Sequence, residues 1–180
     1  MKQLVTLFIL LFGFSTFASA NPNVVLDTSK GEITIELYPQ KAPKTVANFL
    51  TYIQKDGYKN TIFHRVIKGF MIQGGGFMES GSRADVLASI ENESRNGLSN
   101  ERGTIAMART NNPNSATRQF FINHKDNDFL DANNGKWGYA VFGRVTSGMA
   151  VVDDIANVAT NHSDKPLQAI TINSITVQEK

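Results

Sequence analysis

Alternation of apolar and polar residues predicts a β-hairpin near the start of the chain. In residues 32–37, Ile and Leu alternate with Glu and Thr, so one face of a strand is apolar and the other is polar. Residues 24–26 are also apolar, and the polar turn 27–31 between the two segments ends in glycine. Two strands joined in this way are typical of a half-buried antiparallel hairpin.

Two segments have the spacing of amphipathic helices. The first opens at Pro43, because proline lacks an N–H that the first turn of a helix leaves unpaired, and Gly57 closes it. Its apolar residues recur at i, i+3, i+4 and i+7: Val46, Phe49, Leu50 and Ile53. A second helix is predicted over 149–158, with four residues facing inward: Val151, Val152, Ile155 and Val158.

The stretch between these helices combines strand-forming residues with an arginine. It predicts strands at 62–66 and 70–73, with a turn between them and the glycines 74–76 ending the second. Regular alternation assigns five residues to two faces: Phe63, Arg65 and Ile67 opposite His64 and Val66. A buried arginine needs a partner or a function, whereas an exposed strand with a solvated arginine is the alternative interpretation.

The second half of the chain adds further short strands, predicted at 104–108, 119–122, 139–145 and 169–177. In the last strand the apolar residues change parity at Asn173-Ser174, as a β-bulge would cause. About eight strands and two helices predict a mainly β fold, an antiparallel barrel or sandwich whose open ends the helices cover. Because side chains fill a barrel of this size, a binding site is expected on its outside or rim.

The first twenty residues have the features of a signal peptide that is cleaved. Lys2 precedes the apolar run 4–14, and Ala18-Ser19-Ala20 has the small-x-small pattern of a cleavage site. The run is short for a membrane anchor, so no stable anchoring is expected. This segment predicts export to the periplasm, with secretion as the alternative.

The remaining residues, 21–180, are predicted to form a single domain. About 160 residues suffice for one sizeable core, and no linker or repeat divides them. Without Lys2 the formal charge falls from +2 to +1, which argues against a nucleic-acid surface. The chain has no cysteine, so its stability must come from packing rather than from disulfides.

Nothing in the sequence predicts a metal or another cofactor. The three histidines are scattered and no cysteine accompanies them. Asp126, Asp128 and Asp131 resemble the start of a calcium loop but lack its glycine and distal glutamate, so a solvated turn is the better interpretation. The glycines 74–76 lack a following Gly-Lys-Ser/Thr, so they indicate a bend or a close backbone approach.

Several polar and aromatic residues on the short strands could form a shallow pocket. They are Arg65, Gln73, Gln119, Phe70, Met71, Phe121, Phe129 and Leu130. An apolar pocket with a few donors suits a small apolar ring beside a peptide backbone. Ordinary core packing is the competing interpretation, and the pattern alone leaves both open.

Four motifs, in this order, resemble the signature of the cyclophilin family of peptidyl-prolyl isomerases. The first is Phe63-His64-Arg65-Val66-Ile67-x-Gly69-Phe70-Met71-Ile72-Gln73-Gly74-Gly75; the others are Ile105-Ala106-Met107-Ala108 with Ser115-x-x-x-Gln119-Phe120-Phe121-Ile122, then Phe129-Leu130-Asp131, then Val141-Phe142-Gly143-Arg144-Val145. The resemblance spans residues 23–178 and implies a closed eight-stranded antiparallel barrel capped by two helices. With the signal peptide, the chain resembles a periplasmic bacterial cyclophilin.

The resemblance implies an enzyme that rotates X–Pro bonds in exported or unfolded proteins, with Arg65 as the catalytic residue. It implies a proline pocket of Phe70, Met71, Phe121 and Leu130. It also implies further contacts to an extended peptide by four residues: His64, Ala108, Arg109 and Gln119. Gln73 would orient either Arg65 or the substrate backbone. The alternative is a module that binds proline-containing segments without turnover. A monomer is expected.

Three residues depart from the family pattern. Phe129 stands where many members carry a tryptophan that hydrogen-bonds the inhibitor cyclosporin, so weak cyclosporin binding is expected. Tyr139 replaces a pocket histidine, which is expected to alter substrate preference. Arg109 replaces an asparagine and adds positive charge at the rim, which is expected to favour acidic residues beside the proline.

Overall fold

The computed structural model describes residues 21–178, in which eight strands pair antiparallel to form a closed barrel. The strands are β1 Asn23–Thr28, β2 Gly31–Leu37, β3 Thr61–Ile67, β4 Met71–Met78, β5 Thr104–Met107, β6 Phe120–Asn123, β7 Val141–Ser147 and β8 Thr171–Val177. The helices are α1 Pro43–Gln54 and α2 Met149–Ala156, with a short 3-10 helix at Asp128–Leu130. Around the barrel the strand order is β1-β2-β7-β5-β6-β4-β3-β8. The predicted eight-stranded antiparallel barrel with two helices is confirmed.

The predicted signal peptide, residues 1–20, lies outside the described residues. Within 21–178, neither helix combines the length and the apolar character that crossing a bilayer requires.

Apolar side chains fill the inside of the barrel. Phe49 of α1 has ring centroids of Tyr58, Phe120 and Phe142 at 5.1, 5.7 and 5.2 Å, and all four rings are buried. Tilted and edge-to-face contacts at such distances are favourable for aromatic rings. The filled interior leaves the outer face of the barrel for ligand binding.

The long segment 79–103 between β4 and β5 is docked against α1, because one of its carboxylates caps the N-terminus of the helix. Glu93 accepts hydrogen bonds from the backbone N–H of Lys44 at 3.0 Å and of Thr45 at 2.8 Å. A carboxylate is stabilising at a helix N-terminus because it pairs free N–H groups and opposes the helix dipole. The segment that contains Glu93 is therefore held against the helix.

The prediction that glycines 74–76 end a strand was wrong, because β4 continues through them to Met78. A Cβ on Gly74 would lie 2.9 Å from the Phe63 ring, and one on Gly75 would lie 2.9 Å from the Tyr58 ring. Glycine in a strand interior often marks such a close approach. The predicted close backbone approach at these glycines is confirmed.

Regular alternation along β3 was also a wrong prediction. Phe63 pairs with Gly74 and Arg65 with Gln73, so His64 is one extra residue in the ladder. This bulge changes the phase of the strand. Phe63 and Val66 both enter the core, whereas Arg65 is exposed on the outer face.

The bulge predicted in the last strand is confirmed. In the β1–β8 pairing, Asp27 lies opposite Ser174 and Thr28 opposite Ile172, which leaves Asn173 as the extra residue. Ile172 and Ile175 are consequently both buried.

We predict that replacing Gly75 by alanine destabilises the barrel much more than the same change at Gly81. Both glycines have φ above +80°, so both variants carry the left-handed penalty, but only Gly75 faces Tyr58 and Phe120 within 3.0 Å. We expect losses of about 3 kcal/mol for Gly75→Ala and about 1 kcal/mol for Gly81→Ala, measured by urea unfolding. Equal losses would contradict the close approach at Gly75.

Candidate active site

A pocket of about 230 Å³ opens on the outer face of the barrel. Its lining consists of nine of the twelve predicted site residues: Arg65, Phe70, Met71, Gln73, Ala108, Arg109, Phe121, Leu130 and Tyr139. The other three, His64, Gln119 and Phe129, lie outside the lining. Residues from four separate parts of the sequence therefore meet in one place.

The floor of this pocket is an apolar cluster separate from the barrel core. Met71, Ala106, Phe121 and Val141 form its buried part, and each comes from a different strand. Successive strand residues point to opposite faces, so Phe120 fills the barrel while Phe121 faces outward. The outer face thus offers a preformed apolar surface.

Arg65 is the cation at the edge of this floor. Its side chain is 46% exposed, and its Nε lies 3.2 Å from Oδ2 of Asp164. Among residues 21–178, this is the hydrogen bond that the guanidinium makes. The terminal Nη groups therefore keep donors for a ligand in the pocket.

The side chain of Gln73 is held by Gln119 rather than by Arg65. Gln73 Nε2 donates to Gln119 Oε1 at 2.9 Å. A Cβ on Gly76 would overlap the Gln119 side chain, so the neighbouring glycine makes room for this pair. Gln119 therefore supports the pocket from behind its lining.

The guanidinium of Arg109 lies over the ring of Tyr139 in the pocket lining. Its guanidinium carbon is 4.6 Å from the Tyr139 ring centroid, and its nitrogens donate to three backbone carbonyls, those of Thr110, Trp137 and Gly138. None of these acceptors is a carboxylate, so the positive charge at the rim is not neutralised by them. Phe121 meets the same tyrosine edge-on at 5.7 Å.

Phe129 stands at the mouth of the pocket and is 65% exposed. Its ring stacks on Phe70 at 5.7 Å with an interplanar angle of 24°. The short 3-10 helix holds Phe129 at the mouth and places Leu130 in the lining.

A buried amide network beneath the pocket was not predicted. Asn127 donates to the carbonyl of Phe70 at 2.9 Å and to Asn123 at 2.8 Å, and Asn123 donates to Asn100 at 3.2 Å. Asn100 in turn donates to Asp131 at 2.8 Å. All three asparagines are fully buried, and buried networks of this kind fix the position of the groups they join. The available signal was Asn123, which follows three apolar residues in β6.

Two aspartates of the calcium-like motif, Asp126 and Asp131, bond to the segment 99–102. Asp131 accepts from Asn100, and Asp126 accepts from the backbone N–H of Arg102 at 2.7 Å. Across the described part of the chain, histidines and acidic residues form no group of three or more that could hold a metal ion.

His64 lies outside the pocket lining, and the binding role expected for it stays a prediction. The bulge turns it away from Arg65, and its ring lies 4.7 Å from that of Phe77. Burial lowers the pKa of His64 to about 4, and the charges of Arg65 and Lys165 act in the same direction. Its Nδ1 is buried with no hydrogen-bond partner among residues 21–178.

A larger groove, of about 460 Å³, lies elsewhere, at Tyr52, Leu87 and Arg118. The Arg118 guanidinium donates to the carbonyls of Gly57, Gly75 and Asp85 and therefore joins three chain segments. This groove contains none of the twelve predicted residues. The smaller pocket is the better candidate because it combines an apolar floor with a guanidinium that has free donors.

The barrel, its outer pocket and the unused Nη donors of Arg65 together define a protein that can hold a small apolar ring beside a hydrogen-bond donor. A family model described as cyclophilin type peptidyl-prolyl cis-trans isomerase/CLD matches residues 23–177. The chain belongs to this family of isomerases.

Individual relatives agree with this assignment. A peptidyl-prolyl cis-trans isomerase of Acinetobacter baylyi is 52% identical over 91% of this chain and 89% of its own length. Peptidyl-prolyl cis-trans isomerase B of Escherichia coli is 52% identical over 87% of this chain and 99% of its own. A Cryptosporidium parvum cyclophilin type isomerase, solved in the presence of the dipeptide Ala-Pro, superposes with a TM-score of 0.75 at 30% identity, covering 88% of this chain and 99% of its own.

We predict that His64 makes the protein less stable as the pH falls from about 6.5 to about 4. In the unfolded chain the histidine has its ordinary pKa of 6.5, so within this window the unfolded state binds a proton that the folded state excludes. The full contribution of His64 to the free energy of unfolding is present above pH 6.5 and is lost as the pH falls toward 4. Replacing His64 by asparagine should flatten the slope of the unfolding free energy between about pH 6.5 and 5.

The matched control is His162→Asn, because His162 is exposed. In this variant the unfolding free energy, measured by urea titration, should depend on pH with the same slope as in the wild type. Equal slopes for His64→Asn and the wild type would contradict the burial of the His64 ring.

Proposed function

We propose that the protein rotates X–Pro bonds in exported or unfolded polypeptides and thereby assists their folding, with Arg65 as the catalytic residue. The observation that carries this proposal is a guanidinium with unused donors at the edge of an apolar outer-face pocket. The proline ring would rest on Met71 and Phe121, and Arg65 would reach the prolyl amide.

The chemistry of the reaction suits an arginine. Amide resonance makes rotation slow, with a barrier of about 18–20 kcal/mol. At the transition state this resonance is lost and the prolyl nitrogen regains a lone pair, to which a permanently charged guanidinium can donate. Accelerating a step of tens of seconds to milliseconds requires a rate increase of about 10⁴-fold, which corresponds to lowering the barrier by roughly 5.5 kcal/mol. Preorganised donors at an apolar surface are a sufficient source for this energy.

The residues flanking Arg65 would bind the peptide chain as an extended segment. Gln73 lines the pocket with its amide fixed by Gln119, and Ala108 and Arg109 belong to the same lining. The Arg109 charge, which pairs with carbonyls only, would favour acidic residues beside the proline. Tyr139, which contacts Arg109 and Phe121, would shape the preference for the substrate residue next to the proline.

We place this activity in the periplasm, with secretion as the alternative. The support is the apolar run after Lys2 and the Ala-Ser-Ala site, together with similarity to bacterial relatives. The protein is proposed to act as a monomer without a cofactor.

We predict that Arg65→Ala lowers kcat/KM for a short Ala-Pro peptide by about 10²–10³-fold, because one preorganised donor to the transition state is lost. The kcat/KM of Arg65→Lys should lie between those of Arg65→Ala and the wild type, since lysine keeps the charge but lacks the planar fork of donors. The assay follows cis–trans conversion of the peptide, with circular dichroism as the test of folding.

Arg144→Ala is the control, because Arg144 is an exposed strand arginine paired with Glu101 at 3.5 Å. It should retain wild-type activity. Full activity in folded Arg65→Ala would overturn the catalytic role, and a slow wild type that still binds the peptide would favour a proline-binding module instead.

We predict weak cyclosporin inhibition with normal isomerase activity. The exposed ring of Phe129 has no N–H to donate. Phe129→Trp should tighten inhibition about tenfold, the value of one added hydrogen bond, whereas Phe129→Leu should not. Tight inhibition of the wild type in a cyclosporin titration would contradict this explanation.

A further inference from the structure

We propose that Asp164 is a positioning residue that holds the Arg65 guanidinium in its productive orientation. This inference rests on the proposed catalytic role of Arg65 and extends it to a residue 99 positions later in the chain. Asp164 has no counterpart in the sequence motifs that indicated the pocket.

The contact is made by Nε, the nitrogen that joins the guanidinium to the rest of the side chain. Nε of Arg65 donates to Oδ2 of Asp164 at 3.2 Å. The five donors of a guanidinium form a rigid planar fork, so fixing Nε also fixes the direction of the terminal Nη groups. Because Arg65 lines the pocket and Asp164 does not, and the bond uses Nε, this arrangement keeps the Nη groups available for a substrate.

Asp164 is held by a turn that closes on itself. Its φ is +60°, and its N–H donates to the carbonyl of Asn161 at 3.0 Å. The Asn161 side chain accepts from the N–H groups of Ser163 at 2.9 Å and Lys165 at 3.1 Å. The Asn161 N–H donates to the carbonyl of Lys165 at 2.9 Å. The carboxylate is therefore presented by an ordered backbone.

The same turn is bonded to the strand that carries the arginine. The carbonyl of Asp164 accepts from the N–H of Val66 at 2.8 Å, one residue beyond Arg65 in β3. Residue 164 thus contacts the strand through its backbone and the guanidinium through its side chain. By contrast, the pairing of Arg144 with Glu101 is a side-chain contact at 3.5 Å, the kind of surface ion pair that contributes little.

This geometry predicts an effect on turnover rather than on peptide binding. The Arg65 side chain is 46% exposed and that of Asp164 41%, so without the carboxylate the long side chain can adopt other rotamers. The apolar floor, which would provide most of the binding, does not involve Asp164. Loss of the carboxylate should therefore lower kcat and leave KM nearly unchanged.

The test compares Asp164→Asn and Asp164→Gly with Asp56→Asn as the control. Asparagine and glycine both tolerate the left-handed backbone, and Asp56 is an exposed aspartate with a similar φ of 52°. We expect kcat to fall about fivefold in Asp164→Asn, a modest factor because the pair is partly exposed, and further in Asp164→Gly. Asp56→Asn should match the wild type.

Two further readouts separate positioning from a merely structural role. In ¹⁵N NMR spectra, the Nε–H signal of Arg65 should shift in Asp164→Asn and stay in place in Asp56→Asn. In an Arg65→Lys background, which has no Nε–H fork, Asp164→Asn should cause no additional loss.

Unchanged kcat and an unchanged Arg65 Nε–H signal in both Asp164 variants would overturn the proposal, as would a full additional loss in the Arg65→Lys background. The proposed function fails by a different result, which is normal activity of Arg65→Ala. The two failures are therefore distinguishable.

Discussion

A closed barrel with a filled interior is the constraint on which the rest of this structure depends. Phe49, Phe120 and Phe142 occupy the inside, so the chemistry must lie on the outer face. Strand alternation then provides two apolar surfaces from the same strands, since Phe120 packs inward and Phe121 outward. The pocket is thus built on the strands of the barrel, and sites built on strands are held more precisely than sites on loops.

Arg65 reaches this outer surface through a bulge and not through regular alternation. The extra residue at His64 lets Phe63 and Val66 both enter the core and turns Arg65 outward. The cost is a half-buried histidine whose Nδ1 has no partner among the described residues. Unsatisfied buried polar groups are rare in native folds, and here the group lies next to the residue that we propose does the chemistry.

Much of the fold could be predicted from local patterns. The hairpin of β1 and β2, both helices and the bulge at Asn173 each follow from the period or parity of nearby apolar residues. The prediction failed at Gly74–Gly76 and His64, because glycines that admit a neighbouring ring look like turn residues, and a bulge without a clear parity change looks like a regular strand.

The residue pattern left a pocket and core packing equally open, and the family resemblance decided for the pocket, because no local pattern distinguishes an outer apolar face from a core. Nine of twelve line the pocket. Asp164 and the asparagines 100, 123 and 127 were missed since their roles arise from contacts between distant segments. Apart from Asn123, which ends β6, these residues lie in polar loops, where composition indicates only a turn.

The most direct test of this account is NMR mapping of an Ala-Pro peptide on the isotope-labelled protein. If the outer-face pocket is the proline site, the perturbed signals will cluster at Met71, Phe121 and the Arg65 side chain. If they cluster instead in the larger groove at Tyr52 and Leu87 while the pocket signals stay unchanged, the assignment of the active site is contradicted.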